Sequence, residues 1–285
     1  MEIAVVGATG FVGSNLCRIL GKTGFSITPF NRLATEKLLR NGIDPELRFD
    51  WVVNCTGGTQ DLQTVNTRLP MQLYQQINPH LDGGFLQVSS VAAGQSTTPE
   101  GIPINETDPA VPETAYGRSK SEGENALNAV KKSSIKLCIL RPPILYGADA
   151  KGVFNLLKRS SRLGLPLPLA SLSNLRHFMF VENFAYAVAS AIRSELDGTY
   201  YVVDHPPKTV SQFYNAMCSA SGKGKRSFAL GPLTRPVISA LLGSRATSLI
   251  ENSCYDDTKF RQATGFQPPK DFNSAIANSI CASDC

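Results

Sequence analysis

The sequence predicts an α/β fold: a doubly wound parallel sheet, helices on both faces, and a small carboxy-terminal lobe. Three observations carry this. Short apolar runs alternate with amphipathic helical stretches as far as Gly147, which is the pattern of a parallel sheet covered on both sides. The chain opens on "EIAVVGATGFVG", an apolar run that meets three spaced glycines. The 285 residues suffice for one large domain or a domain with a lobe, and no apolar run approaches the roughly 18 residues of a membrane span.

Taken in order, "EIAVVG" reads as the first strand and residues 11–20 as a helix with Phe11, Leu16, Ile19 and Leu20 on its apolar side. "GFSITPF" is a second strand, followed by a helix over 34–40. "DWVVNCTGG" is a strand that ends in glycines, then a helix covers 66–77. "GFLQVSS" is the next strand, a helix runs from about Ala115 to Lys131, and "IKLCILRPP" is a strand again. Beyond Gly147 the rhythm loosens. Proline-rich "LGLPLPLA" precedes a strand and helix at 177–193, then come "TYYVVD" and several helices. Residues 1–147 therefore read as the core. Residues 148–285 read as sheet completion plus the lobe, integrated with it.

Composition narrows the class. The chain is 42% hydrophobic and 18% charged, with a formal net charge of +5, an ordinary surface balance that calls for no nucleic-acid partner. Because residues 1–6 already form a core strand, a signal peptide is not expected. The seven cysteines (17, 55, 138, 218, 254, 281, 285) show no C-x-x-C pair, which suits reduced thiols in the cytoplasm. With only His80, His177 and His205, none beside a cysteine pair, no metal is expected.

Gly7, Gly10 and Gly13 have a physical reading. After a first strand, a ligand's diphosphate can sit on the amino terminus of the next helix. Gly7 permits the tight turn, Gly10 lets backbone approach phosphate, and Gly13 lets the helix pack close to the strand. The spacing is G-x-x-G-x-x-G rather than G-x-G-x-x-G, and its position between strand and helix points to a dinucleotide. Thr9, Phe11 and Val12 complete that turn, and Cys55, Thr56 and Gly57 end a neighbouring strand.

A second constellation points to chemistry. Tyr116 and Lys120 in "AYGRSK" stand four apart on one helix face. A tyrosine works as acid or base near neutrality only if its pKa of about 10 falls, and a lysine ammonium one turn away is expected to lower it. "GFLQVSS" ends in Ser89 and Ser90, at a strand end where such sheets bind ligands.

With these residues in place, the chain resembles an extended short-chain dehydrogenase/reductase of the nucleotide-sugar epimerase/dehydratase group, whose fold is Rossmann-like. "GATGFVG", "VSS", "YGRSK", "LRPPILYG" and "RHFMFVENFAYAVASAI" occur in family order over most of the chain. The resemblance implies Tyr116 as catalytic acid/base, Lys120 on the nicotinamide ribose and Ser90 on the reacting oxygen. It implies Asn66 as the helix asparagine that braces the sheet, Pro143 beside the cofactor, Ala92 beside the substrate, and Arg176 on the substrate diphosphate. "GLPLPLASLSNLRHFMFVENF" and "DDTKFRQATGFQPP" are similar to 4-ketoreductases and 4-epimerases that act on N-acetylated hexoses carried on UDP or polyprenyl diphosphate. A homodimer through the core helices also belongs to this picture.

There are departures from the family pattern. The strand "DWVVN" ends in "CTGG", Gly94-Gln95 replaces a common Tyr-Gly, and Ile144 stands where some epimerases have asparagine. The segment between Arg32 and Asp50 is too short for the edge strand of larger relatives, so that strand is expected to be reduced or missing.

The second strand ends "ITPFNR". NAD-specific relatives place an acidic side chain there; Asn31 with Arg32 next to it suits a 2′-phosphate instead. NADP(H) is therefore favoured over NAD(H), and with it a reductase, on a UDP-linked 4-keto-6-deoxy-N-acetylhexosamine. A 4-epimerase with tightly held NAD is the alternative. A non-catalytic dinucleotide sensor or scaffold is disfavoured, because such proteins lose the tyrosine or the lysine.

Overall fold

The computed structural model, which describes residues 1–243 and 246–281, alternates strand and helix as the sequence predicts. β1 (Glu2–Val6) leads into α1 (Phe11–Lys22), β2 (Ser26–Phe30) into α2 (Arg32–Asn41), and β3 (Phe49–Asn54) into α3 (Leu69–Ile77). β4 (Leu81–Val88) precedes α4 (Ala115–Val130) and β5 (Lys136–Arg141). Then come β6 (Ile144–Tyr146), α5 (Val153–Leu163), β7 (Leu175–Arg176), β8 (Phe178–Phe180), α6 (Val181–Arg193) and β9 (Gly198–Tyr201). β10 (Lys208–Thr209), α7 (Val210–Ala220), α8 (Thr234–Leu242), α9 (Thr247–Ile250), α10 (Thr258–Thr264) and α11 (Phe272–Cys281) close the chain.

Six strands form one parallel sheet in the order β2-β1-β3-β4-β5-β9. The sixth strand comes from beyond Gly147 and pairs with β5, so the later part of the chain completes the core sheet. β2 is the sheet's outer strand on the other side. The chain passes from α2 straight to β3, and the edge strand expected to be reduced or missing has no counterpart there. Both faces of the sheet are buried, as continuous apolar runs require. One face packs Leu16, Leu20, Phe184 and Val188 of α1 and α6, and the other packs Leu73, Tyr74 and Leu127 of α3 and α4. A third apolar cluster, with Tyr146, Phe154, Phe178 and Phe213, forms the lobe.

Two local features set up the site. The helix expected from residue 66 starts earlier, with a π-helical turn over Gln63–Arg68 that runs into α3; such turns often occur at functional positions. The parallel pair β6–β8 brings the segment after β5 beside Arg176 and His177. Cys17, Cys55, Cys138, Cys218 and Cys254 are free thiols, while Cys285 and the side chain of Cys281 lie outside the described residues. Among the described residues there is no group of metal-ligating side chains and no helix long and apolar enough to cross a membrane.

Candidate active site

The carboxyl ends of β1, β3, β4 and β5 converge on a cavity of about 590 Å³. Of the residues singled out above, Val12, Cys55, Thr56, Gly57, Ser90, Ala92, Tyr116, Lys120, Pro143 and Arg176 line it. This is where a doubly wound sheet binds ligands.

The glycine turn abuts this cavity. Gly7 has φ +83°, a left-handed conformation that favours glycine, and a Cβ there would lie 3.2 Å from the Cys55 carbonyl carbon. A Cβ on Gly13 would lie 2.1 Å from the Gly7 oxygen, so only glycine lets α1 approach β1 this closely. Gly10 is the N-cap of α1, and it and Thr9 are exposed at the turn. The Phe11 side chain turns the other way: its ring packs under Gly147, in the lobe's apolar cluster. That leaves its backbone as the part facing the turn.

Asn66, in the π turn, is buried and ties three segments together. Its Nδ2 donates to Gly58 O at 2.9 Å and to Ser119 Oγ at 3.0 Å, and its Oδ1 accepts from Gly58 N at 3.1 Å. Ser119 Oγ in turn donates to Tyr116 O at 2.9 Å. One amide therefore holds the loop after β3 against the helix that carries Tyr116 and Lys120. It stands behind the cavity wall rather than in it. Asn54 does similar work on β3: its Nδ2 donates to Gln87 Oε1, and its Oδ1 accepts from Thr56 N and Oγ1.

Ser90 and Tyr116 line the cavity together, and the Ser90 hydroxyl acts on the Tyr116 phenol. Ser89 is not available for that role, because its hydroxyl donates to buried Glu124. Tyr116 corrects one expectation. Burial pushes its phenol up from the ordinary value, with the Ser90 hydroxyl opposing the rise, where a lowering by Lys120 was expected. The Lys120 ammonium instead donates to Val88 O at 3.4 Å, and a Cβ on Gly57 would lie 2.7 Å from Nζ. Burial lowers Lys120 to about 8, with Glu124 one turn on, and Cys55, opposing the drop.

Sequence reasoning missed the network behind these residues. Arg141 Nε donates to Glu124 Oε1 at 3.0 Å and Nη2 to Oε2 at 2.5 Å, both side chains being buried. Arg141 Nη1 reaches the Tyr201 hydroxyl at 3.4 Å. Glu124 stands four residues after Lys120 on the same helix face, a spacing that could have flagged it. Thr114, also lining the cavity, is the N-cap of α4, its Oγ1 accepting from Gly117 N at 3.0 Å. Thr247 and Ser253 line the lobe side of the cavity and carried no local signal.

Arg176 lies on that lobe side and is only 5% exposed. Its Nη1 donates to Glu251 O at 2.6 Å and Thr247 O at 3.4 Å, while its buried Nε has no partner among the described residues. A buried guanidinium N–H without an acceptor suits an anionic ligand.

Asn31 and Arg32 are engaged in ways the sequence did not show. Asn31 is the N-cap of α2, its Oδ1 accepting from Ala34 N at 2.9 Å. Arg32 is almost fully exposed and its Nε donates to Glu36 Oε1 at 3.0 Å. Both stand at the end of the outer strand β2, outside the lining of the cavity.

The family model described as "NAD dependent epimerase/dehydratase family" matches residues 3–203. Over 218 residues, 67% of this chain, the sequence is 31% identical to a UDP-glucose 4-epimerase of Vibrio cholerae, and the match spans 66% of that protein. It is 28% identical, over 58% of each chain, to a probable dTDP-4,6-dihydroxy-2-methyloxan-3-one 4-ketoreductase of Streptomyces antibioticus. The matches thus span less than two thirds of either curated relative. The solved structure of human epimerase family protein SDR39U1 (isoform 2) with NADPH superposes with a TM-score of 0.81 at 20% identity, covering all of both chains, and shows the same fold.

Proposed function

The chain belongs to the NAD-dependent epimerase/dehydratase family, and from that premise we propose that it is a nicotinamide-dependent oxidoreductase acting at C4 of a nucleotide-linked sugar. The observation that carries this reading is the meeting of Ser90, Tyr116, Lys120 and Arg176 in one cavity at the carboxyl end of the sheet. The residues present fit a dinucleotide: the Gly7–Gly13 turn packs too closely against Cys55 and its own backbone to admit a Cβ, it stands at the amino terminus of α1 beside the cavity, and Gly57 leaves room beside the Lys120 ammonium. Bound there, the nicotinamide supplies or accepts the hydride at C4. Tyr116 gives its proton to the ketone oxygen as that oxygen gains charge, and Ser90 holds the oxygen by its hydroxyl. Lys120 holds the ribose hydroxyls. The unpartnered Arg176 Nε takes the substrate's diphosphate, so the sugar is anchored at a distance from the reacting carbon.

We favour reduction of a UDP-linked 4-keto-6-deoxy-N-acetylhexosamine with NADPH, because Asn31 and Arg32 rather than a carboxylate stand at the end of β2. The likeness to the Vibrio cholerae 4-epimerase favours the alternative of C4 inversion with retained NAD. Incubation with NADPH and the UDP-4-keto sugar separates them. The reductase reading expects NADPH to be consumed in step with formation of the C4 alcohol. C4 inversion of a UDP-hexosamine with no net NADPH consumption would replace it with the epimerase.

A further inference from the structure

The Gly94-Gln95 pair, which departs from the family pattern, opens a loop that the chemistry above does not use. Gly94 is buried, and a Cβ there would lie 2.2 Å from the Tyr201 hydroxyl, so only glycine lets the loop start this close to β9. Residues 94–98 then run from the core to the lobe. Ser96 and Thr97 line the cavity, together with Thr114 and Ser253.

Two side chains clasp this loop by its backbone. On the core side the Glu113 carboxylate takes the N–H groups: Ser96 N donates to Oε2 at 3.1 Å, Thr97 N donates to the same oxygen at 3.0 Å, and the Thr97 hydroxyl donates to Oε1. Arg118 Nη1 donates to the Glu113 carbonyl at 3.2 Å and leaves the carboxylate to the loop. A carboxylate only accepts, and hydrogen bonds to it are about twice as strong as neutral ones. On the lobe side Tyr255 is fully buried and stacks on Tyr201, ring centroids 5.0 Å apart. Its hydroxyl donates to Gln95 O at 2.8 Å, with Ser96 O at 3.2 Å. Thr98 N donates to Asn252 O, and Cys254 N to Thr98 Oγ1, both at 3.0 Å.

We propose that Glu113 is a positioning residue for the sugar of the substrate: it holds Ser96 and Thr97 against the start of α4, and the loop so held is the wall along which the sugar lies. The path of the sugar rests on the proposed function, which puts C4 at Tyr116 and the diphosphate at Arg176. The loop joins those two places. Glu113 stands three residues before Tyr116, and Ser253, two residues before Tyr255, bridges to Arg176. Glu113 itself is not among the residues that line the cavity, so it acts through the loop and not on the ligand. Glutamine has the same shape as glutamate. Its oxygen can accept both N–H bonds and its amide nitrogen can donate to the Thr97 hydroxyl, whereas alanine can do neither.

Calorimetric titration of the NADPH-loaded full chain tests this, with UDP-N-acetylglucosamine and UDP as ligands. Glu113 is exposed, so its truncation leaves the core intact. Glu113→Ala is expected to weaken UDP-N-acetylglucosamine about tenfold and to leave UDP, which has no sugar, within about twofold of the parent. Glu113→Gln should restore the parent affinity for both. Hydrogen–deuterium exchange over residues 94–98 should quicken in Glu113→Ala and not in Glu113→Gln. Unchanged affinity or exchange in Glu113→Ala, equal losses for the two ligands, or a Glu113→Gln as weak as Glu113→Ala would each overturn the inference while the parent still binds the nucleotide sugar. A parent that binds neither ligand would overturn the proposed function, and the placement of the sugar with it.

Discussion

Lys120 is a buried amine whose charge depends on its surroundings. Burial lowers it to about 8, and the negative charge of Glu124 opposes that drop. The native state therefore holds fewer protons than the unfolded chain between about 8 and 10.5, so Lys120 makes stability rise with pH across that window. Activity is expected to run the other way: the ammonium proposed to hold ribose is lost as pH rises through about 8. We predict an alkaline limb near pH 8 in kcat/KM, moved to lower pH by Glu124→Gln, which also strands Arg141 and costs roughly 3–5 kcal/mol in a denaturant titration. An alkaline limb that stays in place in the variant contradicts the coupling. Arg32 is the opposite case, an exposed side chain whose ion pair with Glu36 is worth roughly 0.3–0.5 kcal/mol. Its release to a 2′-phosphate costs little, and a charge-assisted bond returns more. Paired titrations should show Arg32→Ala weakening NADPH about tenfold and leaving NADH unchanged; equal effects on both would contradict the NADP preference. Tyr116 and Lys120 were legible as cavity residues because they stand four apart on one helix, and Ser90 because it follows a strand end. The role of Glu124 was not, because its partner Arg141 comes from a different strand and only folding brings the two together.

At the scale of elements, the first βα turn is set by contacts that no side chain can enter. A Cβ on Gly13 would meet a backbone oxygen at 2.1 Å, and backbone cannot swing aside as a long side chain can. Gly13→Ala is predicted to destabilise the protein by roughly 1–3 kcal/mol, as overpacking does, and to abolish cofactor binding along with the close α1–β1 approach. A melting point and a cofactor titration unchanged from the parent would contradict that. The strands were readable because each is a short apolar run closed by glycine or proline. The missing edge strand was readable from the brevity of the segment after Arg32. The π turn at Gln63–Arg68 was not readable: its start is fixed by Asn66 bonding to Gly58 and Ser119, not by apolar period. Asn31 likewise looked like a free amide at a strand end, yet the chain turns there into α2 and the amide becomes its cap.

The whole molecule places its chemistry where three layers meet. Helices on both faces fix the sheet, the sheet's carboxyl edge presents Ser90 and the loop after β3, α4 brings Tyr116 and Lys120, and the lobe closes the cavity with Arg176. That order of elements was legible in the sequence as a whole. The lobe's contribution was less so, since Arg176 is held by carbonyls of Thr247 and Glu251, far along the chain. The central claim is that Tyr116 moves the proton in a cavity built to hold a nicotinamide dinucleotide. Tyr116→Phe removes one oxygen and leaves the cradle intact, so NADPH should raise the melting temperature of the variant as much as that of the parent. Single-turnover reduction of the UDP-4-keto sugar should fall by about 10²- to 10⁴-fold in the same variant. Turnover equal to the parent, with cofactor bound, would contradict the account.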